Sequence, residues 1–96
     1  MHLKIVKSHL PEKKFDAIFS EEGKPTHIVS FGSSRYQDFT QHKDLHRRTL
    51  YINRHKKNED WNDPMSAGTL SRFILWGSST NMNENIKAYK KKFNLL

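Results

Sequence analysis

The segment KKFDAIFSEEGKPTHIVSF, residues 13–31, constrains the fold more than any other part of the chain. Phe15, Ala17 and Phe19 recur at every second position, so an extended backbone carries all three on one face. The second half alternates Ile28 and Ser30 against His27, Val29 and Phe31. Between the halves stands EEGKP, where Gly23 takes a positive φ without strain and Pro25 has no N–H to give to a ladder. Upstream, HLKIVKSH sets Leu3 and Ile5 against His2 and Lys4, with Val6 out of phase. Three short alternating runs joined by tight turns predict an antiparallel meander over the first third of the chain. GSSRYQDF then reads as an irregular connection.

The remainder changes period. A helix is predicted over 41–57, with Asp38 or Thr40 as its cap and Asp44 in its first turn. NEDWNDP interrupts the pattern, and Pro64 suits an early position of the next helix. MSAGTLSRFILW, residues 65–76, is apolar nearly all round, as expected of a helix at the centre of the core. Gly68 there would admit a close neighbour. GSST is a loop able to cap a last helix, NMNENIKAYKKKF. Met82, Ile86, Tyr89 and Phe93 give that helix one narrow apolar stripe. The expected class is α+β: an N-terminal antiparallel sheet of about three strands packed against about three C-terminal helices. The 96 residues make one expected domain, strand-rich over 1–34 and helical over 35–96. Only 34% of residues are apolar, so the two Trp, six Phe and three Tyr must fill much of the core.

Composition excludes several kinds of chemistry. There is no cysteine, which removes disulfides, thiol catalysis and Cys-based zinc fingers. No apolar run approaches the roughly 20 residues that span a bilayer. MHLKIVKSHLPEKK has no apolar signal core, so secretion is not expected. Glycine-rich phosphate loops, HExxH and serine-elbow motifs are all missing.

Charge is the feature that remains. The net charge is +7, and it is localised. Residues 35–57 hold seven cations against two anions, 58–80 one against three, and 81–96 four against one. Such a patch attracts phosphate-rich partners, nucleic acid first. On a helical wheel Leu45, Thr49 and Ile52 share one side, with Arg48 and His55 beside them, and that side is expected to meet the core. Asp44 or Asp38 would pair with Arg48 there. Lys43, Arg47, Leu50, Arg54 and Lys57 share the other side, a stripe that can follow a phosphate backbone or serve as a solvated face. Arg35 and the lysines of the last helix, Lys87 and Lys91, extend the candidate surface.

Two other readings concern the same region. His42 and His46 stand four apart, a helical spacing that can place two rings on one metal. Two ligands are too few, and nothing specifies a third, so no metal and no cofactor is expected. Trp61 in the acidic NEDWND turn is expected to pack rather than to stack on a ligand.

Taken together, FGSSRYQDFTQHKD, YINRHKKNEDW and SAGTLSRFILWGSS resemble small uncharacterised proteins encoded by nucleocytoplasmic large DNA viruses of algae and protists. The shared pattern runs from a Phe-Gly turn through an aromatic-Asp-aromatic-Thr step, His-Lys-Asp and Tyr-Ile-x-Arg-His to Glu-x-Trp, Ala-Gly, Ser-Arg and Leu-Trp. It covers about residues 26–93. One departure is Arg35, where the pattern has glycine. The resemblance implies a viral protein of the host cytoplasm, the nucleus or the virion, and implies no activity.

Three functions are therefore expected in descending order. The first is non-catalytic binding of nucleic acid, DNA ahead of RNA, through Arg35, Lys43, Arg47, Arg54, Lys57, Lys87 and Lys91. The second is a structural or interaction protein, such as a minor virion component docking another viral protein through Tyr36, Phe39, Leu50 and any exposed apolar part of Phe73 or Trp76. The third is a metal-dependent nuclease, which would need Asp38, His42 and Asp44 to converge in one cleft.

Overall fold

The computed structural model describes residues 1–96. Strands β1 (His2–Lys7), β2 (Lys13–Glu21) and β3 (Lys24–Ser33) form an antiparallel meander in the order β1-β2-β3. The register pairs Leu3 with Phe19, Ile5 with Ala17 and Phe15 with Phe31, so the alternating apolar positions share one face. The β2–β3 turn has Glu22 at φ 50° and Gly23 at φ 77°, the two positive values that a two-residue hairpin connection needs. Pro25 lies inside β3 rather than in the turn. It stands opposite Ser20 where the register shifts, and such an irregularity accommodates a residue without an N–H. Beyond β1, the Leu3 N–H donates to the Leu96 carbonyl at 2.8 Å and the Leu96 N–H to the Met1 carbonyl at 2.9 Å, so the last residue extends the sheet edge.

Helices cover that apolar face. Helix α1 (Phe39–His42) is capped by Asp38, with Gln41 completing a capping box, and helix α2 (Leu45–His55) is capped by Asp44. Helix α3 (Ala67–Leu70), capped by Ser66, runs on as a π-helical turn, Ser71–Leu75. Helix α4 (Met82–Lys92) is capped by Asn81, just beyond the GSST loop. One core joins the layers: Leu3, Ala17, Phe19 and Phe31 from the sheet, Leu70, Ile74 and Leu75 from α3 and its extension, and Tyr89 from α4.

The helix predicted over 41–57 is two helices. Each aspartate offers its carboxylate to the N–H groups that follow it, so Asp38 starts one helix and Asp44 a second. Between them Lys43 takes φ 58°, ψ 28°, a left-handed residue that ends α1. The break changes which side of α2 faces inward. Tyr51 is buried, with Arg48, Ile52 and His55 half-buried beside it, whereas Leu45 and Thr49 are exposed. The expected core role of Leu45 and Thr49 is thus corrected: both lie on the exposed side of α2.

The π-turn is held by side chains. The Trp76 N–H reaches back to the Ser71 carbonyl at 3.0 Å, and the widened turn brings both Ile74 and Leu75 into the core. A helix end leaves carbonyls without partners. Here Asn85 Nδ2 donates to the Ile74 carbonyl at 2.9 Å, Arg72 Nη1 to the Trp76 carbonyl at 3.0 Å, and Arg48 Nε to the Trp76 and Gly77 carbonyls at 3.2 and 2.9 Å. Arg48 therefore pairs with neither Asp44 nor Asp38; its guanidinium turns to these carbonyls instead. On the outer face of the sheet, buried Asp16 accepts from Ser8 and Ser30 hydroxyls at 2.6 Å and from the His9 N–H at 3.1 Å. The His9 ring lies 2.5 Å from the same carboxylate, and these partners hold the Asp16 carboxyl well below the usual carboxylate range.

Candidate functional site

A cleft of about 690 Å³ opens where the end of β3, the loop before α1, the end of α2 and the start of α3 meet. Its floor is made of small or apolar residues, among them Gly32, Ala67, Gly68, Ser71 and Leu75. Gly32 is required there: at φ 81° a side chain would be strained, and an added Cβ would come within 2.6 Å of Leu75 Cδ1. Gly68 admits Glu59, whose Oε1 would lie 2.8 Å from an added Cβ.

One wall is a column of rings. Trp76 and Tyr51 stack at 4.1 Å with planes 1° apart, and His55 follows on Tyr51 at 4.2 Å. At the other end His42 packs on Trp76 at 5.2 Å and on Phe39 at 6.3 Å. Tyr51, Trp76 and His55 line the cleft. Burial raises the Tyr51 hydroxyl pKa well above its ordinary value, so the ring is a neutral packing surface. His55 keeps 36% of its side chain exposed, and its Nδ1 lies 3.2 Å from Glu59 Oε2. Tyr36, 72% exposed, stands at the mouth.

The charges of the cleft are unequally matched. Lys14 Nζ donates to Asp38 Oδ2 and to Gln41 Oε1, both at 2.6 Å. Glu59 is taken by His55 and by the Trp61 indole N–H at 3.2 Å. Lys13 and Arg54 also line the cleft and have no carboxylate partner. The same holds more widely. Of 17 Lys and Arg, Lys14 alone has a carboxylate within 4.0 Å. The basic surface is not neutralised by the chain's own acids.

The candidate residues disperse around this centre. Arg54 is on α2 and lines the cleft, and Arg47 is exposed on the same helix. Arg47, Leu50 and Arg54 keep the stripe expected of them, but Lys43 is the left-handed residue before α2 and Lys57 lies in the turn after it. Arg35 is exposed in the loop after β3. Lys87 and Lys91 are exposed on α4 and do not line the cleft. Sequence reasoning missed Lys13, Lys14 and the Tyr51–Trp76 stack. Lys13 and Lys14 were visible only as the polar start of a strand, and nothing local announces that β2 delivers them beside α2.

The residues considered for metal or acid–base chemistry do not assemble. Asp38 and Asp44 are caps, and His42 Nδ1 accepts the Asp44 N–H at 3.0 Å. His46 is exposed on α2, and the left-handed residue between it and His42 removes the helical i, i+4 relation. No group of three or more His, Cys, Asp or Glu side chains lies close enough to hold a metal ion. Trp61 packs edge-on to Phe73, with the Arg72 guanidinium over its ring at 5.2 Å. No helix is long and apolar enough to cross a membrane.

A family model described as "Family of unknown function (DUF5754)" matches residues 3–55, and the chain belongs to that family. The match spans the sheet, α1 and α2, and so includes Lys13, Lys14, Arg54 and His55. No curated protein and no solved structure matches the chain.

Proposed function

We propose that the protein binds nucleic acid without catalysis, chiefly through phosphates, at the surface formed by the cleft and the exposed side of α2. The observation that carries this reading is that Lys13, Arg47 and Arg54 are fixed on regular elements and lack any carboxylate partner. Cations left free by the fold are available to replace the counterions of a polyanion. Arg35, Lys43 and Lys57 flank this surface, and Lys87 and Lys91 form a second basic strip on α4. DNA is the expected form, in keeping with the DNA-virus source that the resemblance suggests.

The test is fluorescence anisotropy with labelled DNA across a salt series. Binding is expected at about 50 mM salt and is expected to weaken steeply towards about 200 mM. Absence of binding at the lower salt ends the proposal.

A second reading has its own observation. Leu45 and Leu50 are 68% and 51% exposed on α2, which gives a protein partner an apolar foothold. Self-association or partner capture that is lost in Leu45→Ser/Leu50→Ser, with DNA affinity unchanged, would place a protein there instead.

A further inference from the structure

We infer that the cleft receives one unpaired nucleobase, stacked on the His55 ring as the next member of the Trp76–Tyr51–His55 column, with its phosphate held by Arg54 and Lys13. The inference rests on the nucleic-acid reading above and makes single-stranded nucleic acid the preferred partner.

Four observations converge on it. The cleft, at about 690 Å³, lies within the roughly 300–1,000 Å³ of small-ligand sites and is wider than one side chain needs. The column ends in the cleft at a ring that is still one-third exposed, with Tyr51 stacked on one of its faces. Two cations without carboxylate partners line the same cleft, while both of its carboxylates are already engaged by Lys14, His55 and Trp61. Ala67 lines the cleft with a single exposed methyl group, so a planar group meets no bulky side chain from that position, while the space over Gly68 is taken by Glu59. A base inside a duplex has both faces covered by its neighbours and cannot take this position. An unpaired base can, and stacking tolerates any of the four because each has a π-face.

The test uses the whole chain, with labelled single-stranded and duplex DNA of equal length and a nucleoside monophosphate as a third ligand. Single strands are expected to bind at least tenfold more tightly than duplex. His55→Ala should lower single-strand affinity by roughly tenfold, within the range of losses for one stacked base. His55→Phe, which keeps a flat ring, should restore most of it. Ala67 is exposed at the start of α3, so Ala67→Trp can fill the cleft without disturbing the core. That variant should lose the single-strand preference and retain duplex affinity, with circular dichroism confirming the fold. The monophosphate should compete weakly with the single strand and not with duplex. Equal affinity for the two DNA forms overturns the base site and leaves phosphate binding standing, and so does equal loss in His55→Ala and His55→Phe. No binding of either form overturns the underlying reading as well.

Discussion

A methyl group at Gly77 would sit 2.4 Å from the Phe73 carbonyl oxygen and 2.6 Å from Asn85 Cγ. Neither neighbour can retreat. The carbonyl belongs to the π-turn, and Asn85 is buried with its amide committed to the Ile74 and Ser79 carbonyls. Gly77→Ala should cost about 1–3 kcal/mol, read from the shift of a urea midpoint; a wild-type midpoint would show that the turn yields. His42 is the residue through which pH acts just below neutrality. Its Nδ1 accepts the Asp44 N–H, which leaves the ring proton on Nε2, buried without a partner. Burial, and then the Arg47 charge, hold its pKa below the ordinary 6.5, while Asp44 and Asp38 oppose the shift and Lys14 adds to it. A depressed folded value means that the unfolded chain binds the proton more tightly. The contribution of neutral His42 is complete above pH 6.5 and falls as the pH drops from there towards the folded value. His42→Asn keeps an acceptor near Nδ1 without titrating in this range. Its unfolding free energy should vary less with pH below 6.5 than that of the wild type, and identical slopes for the two proteins would remove His42 from the pH response.

At the level of elements, the break between α1 and α2 makes an unusual prediction about Lys43. In one helix over 41–57 a glycine at that place would cost about 1 kcal/mol relative to a good helix former. At φ 58° the observed backbone favours glycine. Lys43→Gly should therefore leave thermal stability equal or raised by up to about 1 kcal/mol, and a clear loss would mean that α1 and α2 are continuous. The strands were legible because period two and a Glu-Gly turn are local signals that tertiary packing reinforced. The stripe of α4 was legible for the same reason, with Met82, Ile86, Tyr89 and Phe93 all inward. The break was not, since lysine is no marker of left-handed backbone; the readable sign was Asp38 with Gln41 three residues on, a capping box too early for a helix starting at 41. The inward side of Arg48 was legible, but its partners were hidden. Its role is to complete the π-turn's carbonyls, and a π-turn has no pattern in residues 71–75 by which to foresee it.

Over the whole molecule, the cleft escapes any linear reading because its parts are far apart in sequence. Lys13 and Lys14 come from β2, Arg54 and His55 from α2, and Ala67, Gly68 and Ser71 from α3 and the turn that continues it. The charge of +7 is likewise divided among elements: Arg54 lines the cleft, whereas Lys87 and Lys91 are on α4 and do not line it. This division separates two contributions to phosphate binding. Each cation that replaces a condensed counterion on duplex DNA adds about 0.9 to the slope of log affinity against log salt. Arg47→Gln/Arg54→Gln should therefore lower the magnitude of that slope by about 2, with a matching loss of affinity at low salt. Lys87→Gln/Lys91→Gln should change it by less than about 1, because those lysines would meet only the outer field of the bound polyanion. All four side chains are exposed and none has a carboxylate partner, so neither pair of substitutions removes an ion pair from the fold. Equal losses from the two pairs would extend the interface across α4 and make the cleft one part of a larger basic track. A loss confined to the α4 pair would move the nucleic acid off the cleft altogether, and the single-strand preference should vanish with it.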